Sequence, residues 1–527
     1  MKKALELGKV SAVGSFQLFI GKSSSTILMA IGSVILGRLL IPGEYGLYSI
    51  ALVPATTMNL FGDLGIDRAI TKYIAQYKFM NKEEEIREIV GVGLIFKVIV
   101  GLALSLLSLF LASFIAINIF DRPETIPLLS LASITILSQS LLTASEATFV
   151  GFERMNLNSI TMICQAILKS VISPLLVLVG YGTMGAVVGY TISFIVSAIL
   201  GFILFYFMLF KNLKKSRLSQ KDKIKTLKEL LTYGVPISIS TIINGLLQQL
   251  YAFLMAFYCT DIMIGNYQVA SNFAMFLTFF TFPITTVLFP AFSKVDPKKE
   301  SQLLKRVFIS SVKYTSLLLI PVTLAVMIMS EPIVSTVFGD NYLYAPSFLT
   351  LYVVSNLFSG LGNLSLGTFL IGIGETKTLM KLSLLSMLIG IPLAFLLIPN
   401  LGIMGVIFAT LFAHVPGMFL GLHWIWRQYK VTLDWKSSTK IFTASFITAV
   451  ITFLSLNFIE TFEWLELIIG GIVFVTIYLI VAPSVGAIVQ EDFTNLRIML
   501  SPLDFISKLA NLLLSVAEKV ARIVYEN

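Results

Sequence analysis

Charge is scarce in this sequence, and its scarcity excludes a soluble fold. Asp, Glu, Lys and Arg make up only 13% of the 527 residues against 56% hydrophobic, with a mean hydropathy of +0.89. A soluble domain of this size needs far more charge to cover its surface. Cysteine is scarcer still. Cys164 and Cys259 sit in different apolar regions, which gives neither a disulfide framework nor metal-ligand spacing, so no metal or cofactor is expected. Nucleotide-binding loops are missing as well. Gly21-Lys22-Ser23 lacks the glycine five positions before Gly21, where Phe16 stands, and Gly372-Ile373-Gly374-Glu375-Thr376-Lys377 fails in the same way. Energy for any transport then comes from a gradient or from the fate of the substrate.

What the chain has in abundance is apolar runs of about 20 residues, each long enough to cross a hydrocarbon core about 30 Å thick. They do not alternate as barrel strands do, so the expected fold is an all-α polytopic membrane protein. Fourteen spans are read near 10–37, 46–70, 89–115, 127–149, 157–180, 183–208, 233–257, 265–290, 307–329, 346–371, 379–398, 402–426, 441–459 and 465–489. Basic residues collect in alternate loops: Lys2, Lys3 and Lys9, Lys72 to Arg87, Arg154, the dense run from Lys211 to Lys228, Lys294 to Arg306, Lys377 and Lys381, and Arg427 to Lys440. The opposite loops hold only Arg38 and Arg122, a bias that puts both termini in the cytoplasm and requires an even span count. The same bias accounts for the net charge of +9 without nucleic acid as a partner. The first apolar segment is too long for a cleaved signal and lacks a small-residue cleavage site, so it is expected to stay as a helix.

Two short motifs return at nearly one period. Gly46-x-Tyr48-x-Ile50-Ala51 matches Gly265-x-Tyr267-x-Val269-Ala270, and Gly182-x-Met184-Gly185-Ala186-Val187 matches Gly402-x-Met404-Gly405-Val406-Ile407, at offsets of about 219 and about 220 residues. The expected plan is therefore a six-helix bundle (1–210), a basic cytoplasmic linker (211–232), a second six-helix bundle (233–430), two extra transmembrane helices (431–489) and a cytoplasmic amphipathic tail (490–527). Six spans per repeat give both bundles the same orientation, hence a parallel repeat about an axis along the membrane normal. In the tail, Leu503, Phe505, Ile506, Leu509, Leu512, Leu513, Val516, Val520 and Ile523 lie largely on one helical face, as in an interfacial helix.

Charges inside spans are costly and face a cavity or a partner. Lys22 opens the polar run Lys22-Ser23-Ser24-Ser25-Thr26, roughly 18 Å along its helix. Lys169 shares a face with Gln165 at similar depth, and Lys97 sits lower in the third span. These lysines either snorkel and pair with acids or hold an anion; the depth of Lys22 and Lys169 makes snorkelling hard. Asn59, Asp63 and Asp67 form one stripe, with Arg68 beside them, and Gln139, Thr143 and Glu146 form another. Asp63 and Glu146 are the candidates for coupling to sodium or protons; the competing role for the acids is to neutralise the lysines. The second repeat is mostly neutral, with Asn244, Gln248, Gln249, Asn272, Asn356 and Asn363, plus Lys313 and a lone His414. An isolated histidine of that kind is more often structural than a proton carrier. Such an asymmetry fits an anion held by the first repeat, because a desolvated phosphate needs cationic partners.

The turn Gly37-Arg38-Leu39-Leu40-Ile41-Pro42-Gly43-Glu44-Tyr45-Gly46-Leu47-Tyr48 resembles the first loop of the polysaccharide-exporter family, the oligosaccharide-lipid flippases of O-antigen type. Gly62-Asp63-Leu64-Gly65-Ile66-Asp67-Arg68-Ala69-Ile70 and Ile398-Pro399-Asn400-Leu401-Gly402-Ile403-Met404-Gly405 are similar to further stretches of that family. The family belongs to the multidrug/oligosaccharidyl-lipid/polysaccharide exporter superfamily. The resemblance implies two six-helix bundles forming a V, and a non-enzymatic flippase that moves a lipid-linked oligosaccharide between membrane leaflets, with glycan-assembly proteins as possible partners. Lys22, Lys97 and Lys169 are candidates for holding its phosphate by depth and charge rather than by family motif. The rivals are a cation-coupled multidrug antiporter of the same superfamily and a membrane glycan polymerase or ligase. Short outer loops, none above about fifteen residues by these spans, count against the enzyme.

Overall fold

In the computed structural model, the described residues are 2–214, 220–277, 292, 300–458, 461–500, 514, 515, 518 and 519. Among them the chain is helical and without strands, as expected of a polytopic membrane protein. Nine helices are long and apolar enough to cross a membrane, or up to eleven if each of two bent pairs counts as one span. The expected span at 265–290 runs past the described residues, as do much of the expected tail helix (Leu503, Phe505, Ile506, Leu509, Leu512, Leu513, Val516, Val520, Ile523), Lys294, Lys298 and Lys299. The chain divides into two compact units, residues 1–265 and 266–527.

The first unit contains α1 (Lys2–Leu39), α2 (Pro42–Asp63), α3 (Ile66–Phe79), α4 (Glu83–Phe114), α5 (Ile126–Gly151), α6 (Met155–Leu176), α7 (Gly182–Met208) and α8 (Gln220–Tyr258), and ends in the first turn of α9 (Asp261–Phe276). Pro42 opens α2, where its fixed φ suits a first helical turn and its missing N–H costs nothing. The stretch read as one span at 46–70 is two helices. Leu64 and Gly65 both turn left-handed (φ 46° and 78°), and Asp63 caps the new helix, accepting from the N–H of Gly65 (3.2 Å) and of Asp67 (3.0 Å). Ile66, Ile70 and Ile74 of α3 then face Ile86, Ile89 and Val90 of α4, Phe149 of α5, Phe205 of α7 and Leu230 of α8 in a buried core.

α1 and α6 run side by side in parallel. Ser159 donates to the Gln17 carbonyl (2.9 Å) and Ser170 to the Leu28 carbonyl (2.7 Å), both at a separation of 142 residues, with Gly21 and Gly32 giving room for close approach. A second tie fixes the turn after α4. Arg122 donates to the Asp261 carboxylate (2.5 Å) and to the carbonyls of Phe120 (2.6 Å), Ala256 (2.6 Å) and Cys259 (2.8 Å).

The glycines of the two recurring motifs occupy special positions. Gly182 and Gly402 start equivalent helices with nearly the same backbone (φ 47°, ψ −137° and φ 58°, ψ −129°), a region open only to glycine. Gly46 and Gly265 meet reciprocally. A Cβ on Gly46 would stand 2.0 Å from the carbonyl oxygen of Asp261, and one on Gly265 would stand 1.9 Å from that of Pro42, each four residues before the partner glycine.

The second unit holds the rest of α9, then α10 (Ser301–Ile328), α11 (Ser330–Phe338), α12 (Ala345–Leu357), α13 (Asn363–Gly372), α14 (Thr376–Leu401), α15 (Ile403–Tyr429), α16 (Trp435–Leu456), α17 (Glu463–Ser484) and α18 (Gln490–Leu500). Its core gathers Phe308 and Ile320 of α10, Phe369 of α13, Ile441 of α16, Ala482 of α17 and Phe493 of α18. Asp492, 2% exposed, joins α18 to α10 by accepting from Lys313 (2.6 Å) and Tyr314 (3.1 Å). Fully buried Asn266 caps α12, accepting from the N–H of Tyr344 and of Ala345 (both 2.9 Å). Asn266→Ala is expected to cost about 1–2 kcal/mol, read by denaturant unfolding of the detergent-solubilised chain. An unchanged midpoint would mean that other groups satisfy these donors.

Candidate functional site

The two polar stripes of the first unit face each other. Asn59 of α2 donates to Gln139 of α5 (2.7 Å), and below them the α2–α3 break brings Asp63 and Asp67 to α4. Lys97 lies between these carboxylates, 3.2 Å from Asp63 and 2.8 Å from Asp67, and is 1% exposed. The partner of the acid stripe is thus Lys97, 30 and 34 residues away, rather than the adjacent Arg68. Two acids on one cation leave the cluster with one negative charge when all three are ionised.

Glu146 of α5 is the next acid, accepting from Thr161 of α6 (3.4 Å). With Thr143 it forms a wall shared by two cavities. The larger, about 590 Å³, is lined also by Asp67, Arg68, Lys72, Asn158 and Tyr233. The smaller, about 170 Å³, is lined also by Ser25, Gln139, Gln165 and Phe194. Lys22 precedes Ser25 by three residues on α1, and Lys169 follows Gln165 by four on α6, so each lysine lies one turn from a residue lining the smaller cavity. The shared register of α1 and α6 puts Lys169 level with Ile27, about 7.5 Å along the axis from Lys22. The Lys169 ammonium stands 5.1 Å from the centre of the Tyr190 ring, and Lys22 is exposed. Among the described residues no group of three or more His, Cys, Asp or Glu is arranged to hold a metal ion.

Some lining residues escape a reading of the sequence. Lys72 reads there as a loop cation and Arg68 as the neighbour of an acid, yet both line the larger cavity, the Lys72 ammonium lying 3.7 Å from the centre of the Tyr233 ring. Asn158 lines it too, with its buried side-chain oxygen unpaired among the described residues. The i, i+4 spacing of Arg68 and Lys72 was the available signal; Asn158 offered none.

Known proteins share this architecture. The chain is 21% identical over 277 residues to the probable low-salt glycan biosynthesis flippase Agl15 of Haloferax volcanii, covering 53% of this chain and 58% of that protein. It is 25% identical over 351 residues to the lipopolysaccharide biosynthesis protein WzxC of Escherichia coli K12, covering 64% and 66%. The matched parts span less than two thirds of either relative. Among solved structures, the lipid II flippase MurJ in an inward closed conformation superposes with a TM-score of 0.71 at 20% identity, covering 88% of this chain and 97% of that one, which shows a shared fold. The family model for polysaccharide biosynthesis proteins matches residues 35–347. That match takes in more than half of the sequence, including the acid stripe, Lys97, Glu146 and Lys169, and the chain belongs to the polysaccharide biosynthesis protein family.

Proposed function

We propose that this protein is a flippase, not an enzyme, and that it carries a polyprenyl- or dolichyl-phosphate-linked oligosaccharide from the cytoplasmic to the outer leaflet by alternating access. The observation that carries the reading is the charged interior of the first unit, where Lys97 is held by Asp63 and Asp67 and the adjoining cavity is lined by Arg68, Lys72 and Glu146. Family membership and the glycan-flippase name of one relative support the cargo class. The basic-loop bias supports cytoplasmic termini, and the paired motifs support the two six-helix bundles at 1–210 and 233–430 with the basic linker 211–232 between them.

In this reading Lys22 and Lys169 grip the lipid phosphate, and Lys97 couples the grip to an ion. Its ammonium is shared between Asp63 and Asp67 in the resting state. A proton or sodium ion arriving at Asp63 or Asp67 competes with Lys97 for the carboxylates, and the released ammonium turns to the phosphate; Glu146 is the second candidate ion carrier.

The test is translocation of a lipid-linked oligosaccharide in proteoliposomes. Lys22→Ala and Lys169→Ala should each slow it about 10- to 100-fold, the effect of losing one hydrogen bond to a charged group at about 1.5–3 kcal/mol. Normal rates in both variants would sink the lysine site while keeping the function. If the wild type moves no such lipid but exchanges cationic dyes for sodium or protons, the antiporter takes its place, and glycan-chain growth by the purified protein would point to a polymerase.

A further inference from the structure

The second unit has a cavity of its own, about 350 Å³, at a break between helices. α12 tightens into a narrow turn at Phe358–Leu361, Gly362 goes left-handed (φ 83°), and α13 leaves at 57° to the preceding helix. Breaks of this kind in membrane helices persist where they line a cavity, because their backbone groups need polar company. α15 supplies the opposite wall.

The lining is unlike that of the first unit. Tyr352, Asn356, Phe358 and Asn363 come from the broken helix, and Thr410 and His414 from α15. Not one of the lining residues is Lys, Arg, Asp or Glu. A phosphate would go without the cations it needs once desolvated, and a metal or organic cation would find no counter-charge. A lipid tail fits poorly as well, since amides and an imidazole would lose water with nothing in return. Asn356, Asn363 and His414 offer both donors and acceptors, and among the described residues no hydrogen bond to another side chain engages them. Tyr352 and Phe358 add aromatic surface, with Tyr352 set edge-on to Tyr267 at 6.0 Å. Hydroxyls that both donate and accept, alternating with apolar C–H faces, are the chemistry of a sugar ring. The volume lies within the range of small-molecule sites.

We infer that this cavity is a binding site for an uncharged pyranose, formed by Asn356, Asn363, Thr410 and His414 around the faces of Tyr352 and Phe358. Only the identity of its natural ligand, a sugar of the carried glycan, rests on the proposed function. The site separates the cargo into two chemistries: phosphate for the first unit, sugar for the second.

The chain has two histidines, so selective labelling gives two imidazole signals, one in the site and one, His423, beside Trp426. The full-length protein in nanodiscs, labelled with ¹³C-histidine, is titrated with neutral methyl hexosides and methyl N-acetylhexosaminides, with sodium phosphate and with sugar-free polyprenyl phosphate. His414→Gln assigns the signals. At least one glycoside should move the His414 resonance saturably at millimolar concentration, the strength of a single-sugar contact, and leave His423 in place. Asn356→Leu and, as a milder change, Thr410→Val should raise the midpoint, the first about tenfold, as expected for one or two lost hydrogen bonds. A His414 signal that ignores every glycoside to about 100 mM, or answers phosphate instead, overturns the site. A wild type that binds glycosides yet translocates no lipid leaves the site standing and removes the flippase.

Discussion

Replacement of Lys97 by Met is expected to destabilise the protein by about 3 kcal/mol, the lower end of the range for breaking a buried ion pair. The methionine fills most of the space but leaves Asp63 and Asp67 facing each other without their cation. Asp63, 37% exposed, can turn to water, which places the cost at that lower end; Asp67, 19% exposed, has less recourse. Its other carboxylate oxygen is already buried without a partner among the described residues. Adding Asp67→Asn to Lys97→Met should therefore recover more of the loss than adding Asp63→Asn, which also weakens the cap on α3. Denaturant midpoints of the four proteins in detergent measure this. Equal recovery by the two asparagines would show that burial does not rank the acids, and a Lys97→Met protein as stable as wild type would deny the pair any structural weight.

The second large effect concerns Gly46 and Gly265. Even alanine at either position sets a methyl carbon about 2 Å from a carbonyl oxygen of the opposing helix start, so backbone rather than a side-chain tip must move. Each single substitution should cost about 1–3 kcal/mol, as overpacking does. Because the contact is reciprocal, the first substitution also opens the space needed by the second. The double variant should then be less harmed than the sum of the singles, with a coupling of about 0.5–3 kcal/mol. Strict additivity, measured by the same unfolding assay, would mean that the two glycines relax independently.

These two cases mark what the sequence could and could not convey. The duplicated motif that contains Gly46 and Gly265 is visible as a repeat, and the matching backbones of Gly182 and Gly402 were legible in the same way. That each glycine of the first pair packs against the backbone four residues before the other was not, because a repeat states likeness and says nothing of contact. The stripe Asn59, Asp63, Asp67 follows from helical spacing, but its true partner comes from another helix, and the nearer Arg68 competed for the assignment. Both helix breaks lie inside stretches that read as continuous spans. Hydropathy holds across Leu361, where the pair Gly360 and Gly362 was too brief a signal to register; at Leu64 it does fall, into a polar α3, and Asp63 ahead of Gly65 was a further local signal for a break rather than for the end of one span. Asn356 and His414 were legible as polar residues on separate spans; the break that brings them to one cavity was not.

The grip on Arg122 has a consequence for the order of synthesis. Only the Phe120 carbonyl is local to it; Ala256, Cys259 and Asp261 lie 134, 137 and 139 residues further on. At about 5–20 residues per second, a ribosome needs roughly 7–28 s to make them. For that interval the guanidinium has one of its four acceptors, and the turn between α4 and α5 waits unfastened. A nascent chain stalled before Ala256 should show this turn open to protease, and one extended past Asp261 should show it closed.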